Sequence, residues 1–154
     1  MWNDGEGGGP LENTGQETYV QPKRKKATAE LVAKATTRAP RIIEYEISEE
    51  LGWCAIATIN DREYTAITNS AINSKGKYDK AQGALVNVRL IAAMSRDLDD
   101  HSKKMFAGTD QDFRYLRGLE AGEIDRWANA CREHLGIMNE DELKNSSKAT
   151  QEND

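Results

Sequence analysis

Apolar residues recur along this chain in two distinct periods, and the switches between them set out its expected elements. Ala27–Thr37 is rich in helix formers, places Leu31 and Ala35 on one face with Val32 beside them, and offers Thr28 as an N-cap. Pro40 closes that segment. Arg41–Ile47 then alternates, with Ile43, Tyr45 and Ile47 on one side and Glu44 and Glu46 on the other. Trp53–Ile59 sets Trp53, Ala55, Ala57 and Ile59 against Cys54, Ile56 and Thr58. Asn60-Asp61 reads as a turn into a third short strand, Glu63–Ile67. Thr68–Lys77 is small and polar, hence a loop. Lys80–Leu98 follows as the strongest helix, with Ala81, Ala84, Leu85, Val88, Ile91 and Ala92 along one face.

Asp99–Gly108 reads as a polar linker. Thr109 with Asp112 three residues on resembles a capping box, and Phe113, Leu116 and Leu119 continue at helical spacing. In Gly122–Leu135, Ile124, Trp127, Ala128, Cys131 and Leu135 form one stripe, which ends at Gly136. The pattern predicts an α+β fold of order α-β-β-β-α over residues 27–98, with a small antiparallel sheet and helices on one face. A helical extension over 109–138 follows it. Residues 1–26 read as an acidic, glycine-rich tail with a basic run at its end, and 139–154 as an acidic disordered tail. No internal repeat is evident.

Composition fits that division. Of 154 residues, 38% are hydrophobic and 31% charged, and mean hydropathy is −0.77, which leaves roughly 100 residues for an ordered core. The net charge of −5 is unevenly spread. Residues 1–20 carry four acids and no bases, 21–98 thirteen bases against nine acids, and 99–154 eight bases against thirteen acids. The central segment can therefore meet a polyanion locally while the ends oppose non-specific adhesion. No apolar run approaches the ~18 residues of a membrane span, and the acidic, glycine-rich start is unlike a secretory signal. Cys54 and Cys131 fall in a strand and on an apolar helix face, which predicts two buried, reduced thiols and an intracellular setting. Lys23, Arg24, Lys25 and Lys26, behind Pro22, resemble a monopartite nuclear import signal; the competing reading is a solvated basic arm, and phosphate contact beside the folded domain is a third use compatible with import.

Catalysis has little to rest on. The two histidines, His101 in the polar linker and His134 near a helix end, lack a nucleophile and an orienting group. No Cys-x-x-Cys or paired histidine spacing suggests zinc, Asp99 and Asp100 read as solvated linker acids, and no glycine loop would cradle a nucleotide. A non-enzymatic protein without cofactor is expected. The C-terminal stripe of Ile124, Trp127, Cys131 and Leu135 has two readings, packing onto the same core or a partner-facing or homodimer seam.

The lysines around the Lys80 helix carry the functional case. They would set ammonium groups at the mouth of a helix whose dipole favours anions. With the element order, Pro40, Tyr45, Lys75, Lys77, Lys80 and the run Ala81-Gln82-Gly83-Ala84-Leu85, residues 28–94 resemble the double-stranded RNA-binding domain. The resemblance implies shape recognition of A-form RNA, in which phosphates line a narrow major groove and 2′-hydroxyls a shallow minor one. It assigns Glu30 and Lys34 to a minor-groove helix, Ser48–Gly52 to a groove-inserting loop, and Lys77 and Lys80 to a phosphate clamp, with Lys75 beside them. The chain departs from the family where Glu49 and Glu50 occupy the loop, where Tyr78 and Asp79 separate the lysines, and at Gln82. The expected function is non-catalytic binding of double-stranded RNA. The alternative is a protein-interaction or homodimerisation module of the same fold, using the sheet edge or the Trp127 helix.

Overall fold

The computed structural model describes residues 23–137. Of the tails expected over 1–26 and 139–154, residues 1–22 and 139–154 lie outside the described residues. The chain divides after Arg38 into two compact units. In the first, Ala29–Ala35 forms α1; Thr28 Oγ1 accepts from the Leu31 N–H at 3.2 Å, the cap its position suggested. None of its residues is buried.

The second unit holds a three-stranded antiparallel sheet with helices in the order β-β-α-α-α-β-α-α. Ile42–Ser48 (β1) pairs with Gly52–Ala57 (β2) through a turn in which Gly52 takes φ 86°, a conformation glycine enters without a Cβ penalty. The register slips between Glu46 and Ser48, so Ile47 sits at a bulge and is buried. Cross-strand partners share a face, which groups Ile43 and Tyr45 with Ile56 and Cys54, and Glu44 and Glu46 with Ala55 and Trp53. Ala55 and Ala57 are nevertheless wholly buried, so β2 is interior on both faces, while Trp53 is 53% exposed.

Glu63–Ile67 is not a strand but part of a helix, α2 (Asp61–Asn69). The deciding interaction is local: Asn60 Oδ1 accepts from the Glu63 N–H at 2.8 Å, and the Glu63 carboxylate accepts from the Asn60 N–H at 3.3 Å. This Asn-x-x-Glu capping box satisfies two orphan donors at once, and Tyr64 and Ile67, three apart, then pack against the core.

The long helix expected over Lys80–Leu98 is also revised. It breaks into Lys80–Gly83 (α3) and Val86–Met94 (α4), and the chain turns extended at Ser95. Ser95–Arg96 (β3) is the third strand, pairing Ala55 with Arg96 and Ile56 with Ser95. An interior strand needs hydrogen-bonding neighbours on both edges, and this return segment supplies the second. Part of the expected linker continues the pairing: the Met105 N–H donates to Ser95 O at 3.1 Å, and the Asp97 N–H to Lys103 O at 2.8 Å.

Asp110–Arg117 (α5) starts with the anticipated Thr109/Asp112 capping box. Hydrogen bonds from the backbone of Thr109 lead the causes that hold the Asp112 carboxyl below its usual range. Ala121–Leu135 (α6) stops at Gly136, φ 77°. Leu116, Trp127, Ala128 and Cys131 share one core with Cys54, Ile56, Val88, Leu90, Ile91 and Met94. Of the two readings of the C-terminal stripe, the core is the one observed: Trp127 and Cys131 are buried, and Ile124 and Leu135 pack half-buried against them.

Two consequences can be measured. Trp127 is 2% exposed and lies 6.0 Å, centroid to centroid, from Phe106. Trp127→Ala is expected to cost about 3–5 kcal/mol in a denaturant melt, and a change below ~1 kcal/mol would contradict its place in the core. Burial pushes the Cys54 thiol up to about 11 and the Cys131 thiol up to about 12. The unfolded chain releases these protons at an ordinary thiol value near ~8.5 while the folded chain retains them. Their contribution to stability is therefore complete below that value and lost as pH rises toward 11–12. A double Cys54→Ala, Cys131→Ala variant should show a flatter decline above pH ~9; an identical decline would contradict the assignment.

Candidate functional site

The lysine segment lies in the connection from α2 to α3 and is built around one asparagine. Asn73 Oδ1 accepts from the Lys75 N–H at 2.9 Å and from the Lys77 N–H at 3.0 Å, while the Asn73 N–H donates to Lys77 O at 2.7 Å. The Gly76 N–H returns to Asn73 O at 2.9 Å, with Gly76 at φ 77°. A short side-chain carbonyl can close such a turn where the backbone alone leaves donors unpaired. An Ile72–Tyr78 bridge and the Asp79 N–H to Ala71 O bond at 2.6 Å close its base. Ala71 is buried there, which fixes the base to the body of the fold.

What the turn presents is basic and partly aromatic. Lys75, Lys77 and Lys80 are all exposed. Tyr78 is 65% exposed, and its ring lies over Gly83, where a Cβ would overlap the phenol. Ile72 is 44% exposed beside it. The platform is braced by Arg89, which donates to Ser70 Oγ and to Gln82 Oε1, both at 2.8 Å. Those bonds tie the end of α2 to α3 across the root of the turn.

Lys80 does not stand at the mouth of a long helix. The helix opened by Lys80 has four residues, too short for an appreciable dipole. Asp79 already accepts from its first N–H groups, Ala81 at 2.9 Å and Gln82 at 3.3 Å. Any attraction for an anion therefore comes from the ammonium groups. Asp79, which interrupts the lysine series, has a structural task as the cap.

Of the three lysines expected to act together, Lys75 and Lys77 lie on one turn and Lys80 on its flank. Glu30 and Lys34 are exposed on α1, in the first unit. Lys23, Arg24, Lys25 and Lys26 precede that helix and are exposed outside any helix or strand. Glu49 and Glu50 are exposed in the turn between β1 and β2, a different loop from the lysines. Asn73, Arg89 and the exposed ring of Tyr78 were not anticipated. The signal for the first was present in Asn73-Ser74-Lys75-Gly76-Lys77, an asparagine and a glycine at turn positions.

Two of the groups considered for catalysis, His134 and Asp100, make local contacts. His134 Nε2 lies 2.9 Å from Arg41 O, and the Arg41 guanidinium donates back to His134 O at 3.3 Å, joining α6 to the start of β1. Asp97 accepts from the Asp99 and Asp100 N–H groups at 2.9 Å each, and Asp100 from Ser102. The Ser102 hydroxyl holds the Asp100 carboxyl below its usual range. No cluster of three metal-ligating side chains occurs among the described residues, and no helix there is long and apolar enough to cross a membrane. Compared with known proteins, the chain matches no family model, no curated protein and no solved structure.

Proposed function

We propose that this protein binds double-stranded RNA without catalysis, setting Lys75, Lys77 and Lys80 over phosphates. The supporting observation is the Asn73-closed turn, which carries Lys75 and Lys77, both exposed, with exposed Lys80 on the short helix that follows. A duplex is the favoured form because its closely spaced phosphates reward several cations carried on one short segment. Tyr78 offers a ring face that can stack on a terminal or looped-out base. Glu30 and Lys34 are secondary candidates for a minor groove. The run Lys23–Lys26 is proposed as a nuclear import signal, on its exposure and charge. Deleting it from a reporter fusion should abolish nuclear accumulation, and an unchanged distribution would reject that role.

The RNA reading is tested by titrating duplex RNA, duplex DNA and single-stranded RNA at several salt concentrations. Duplex RNA should bind most tightly, with a log–log salt slope of about −2 to −3 for three phosphate contacts. Lys77→Ala with Lys80→Ala should weaken binding and flatten that slope by about 2, with an unchanged melt. Equal binding by variant and parent, or preference for another nucleic acid, would overturn the assignment.

A further inference from the structure

The sheet leaves one edge unpaired among the described residues, and that edge carries an unusual charge pattern. β1 is an end strand with β2 as its hydrogen-bonded neighbour. The Thr58 N–H donates to Arg41 O at 3.0 Å, which fixes the parity of the antiparallel ladder. Alternate residues then turn the same way: Ile43 and Tyr45 direct their N–H and C=O groups toward β2, and Ile42, Glu44 and Glu46 direct theirs outward. No turn, loop or side-chain hydrogen bond among the described residues reaches those outward groups.

Side chains along the same edge alternate in chemistry. Glu44 and Glu46 are exposed on one face, two residues apart. On the other face Ile43 is 38% exposed and Tyr45 half-buried. A strand laid against this edge would place every second side chain beside a carboxylate and the intervening ones beside Ile43 and Tyr45.

We propose that β1 is a docking edge for an extended peptide segment of another protein, with Lys or Arg at alternate positions and apolar residues between. Such a segment would extend the sheet by main-chain hydrogen bonds to Ile42, Glu44 and Glu46, and charge would select its register. Charge also excludes the simplest competitor. A second copy pairing edge to edge would set Glu44 and Glu46 against their own counterparts, a repulsive arrangement that blunts self-association. This inference is independent of the RNA reading, because it uses neither the lysine turn nor its charge.

The test uses the full chain and a fluorescein-labelled peptide of alternating Lys and Val, followed by fluorescence anisotropy at low salt. Three control peptides are a Glu-for-Lys version, a scrambled sequence of the same composition, and one N-methylated at the amides facing β1. The alternating Lys peptide should bind at least about ten-fold more tightly than each control, since like charge, lost register or lost donors each remove part of the pairing. Glu44→Lys with Glu46→Lys should reverse the preference toward the Glu peptide. Glu44→Gln with Glu46→Gln, which preserves shape, should weaken the Lys peptide. Glu49→Gln with Glu50→Gln should leave it unchanged. Equal binding of alternating and scrambled peptides would reduce the effect to non-specific charge and overturn the proposal. Indifference to N-methylation would overturn it too, as would light scattering that shows a dimer broken by the charge reversal.

Discussion

Burial of β2 on both faces is the constraint from which the rest of the second unit follows. Cys54, Ala55, Ile56 and Ala57 are at most 1% exposed, so their peptide groups cannot fall back on water. β1 satisfies one edge and Ser95–Arg96 the other, which obliges α4 to end at Met94 and the chain to turn back into the sheet. With α4 so anchored, its buried face of Val88, Leu90, Ile91 and Met94 is covered by α5 and α6. Each such apolar side chain contributes roughly 1.5–3 kcal/mol on burial. Trp127, Cys131 and Leu116 complete the same core.

Much of this was legible in the sequence, and the exceptions have physical reasons. β1, β2, α5 and α6 could be read from period and caps, including Thr109 with Asp112 and the terminal Gly136. Alternation misled at Glu63–Ile67, where five residues suit either a strand or a helix and the Asn60–Glu63 pair decides. Ser95–Arg96 is too short for periodicity to register, and its strand character comes from the unmet hydrogen bonds of β2. Helical spacing grouped the apolar stripe of α6 but could not distinguish a core from a seam. Only burial makes that distinction, through an aromatic ring enclosed beside Phe106.

The lysine turn follows the same logic at a smaller scale. Its charges were evident from composition, whereas its rigidity depends on bonds no pattern specifies: Asn73 to two backbone donors and Arg89 to Ser70 and Gln82. Preorganisation matters for a surface cation, because a free lysine loses much of its attraction for phosphate to the entropy of being fixed. Here only the lysine side chains remain to be ordered. Around these lysines, residues 39–137 take the order β-β-α-α-α-β-α-α, where α-β-β-β-α was expected over 27–98.

The turn at residues 72–80 is the proposed point of contact with RNA. Backbone amide NMR shifts followed during titration with a short RNA duplex test it most directly. The account predicts the largest shifts at Lys75, Gly76, Lys77, Tyr78 and Lys80, with small changes at Glu44 and Glu46 on β1. Shifts centred on another surface, or none at low salt and saturating duplex, would contradict it.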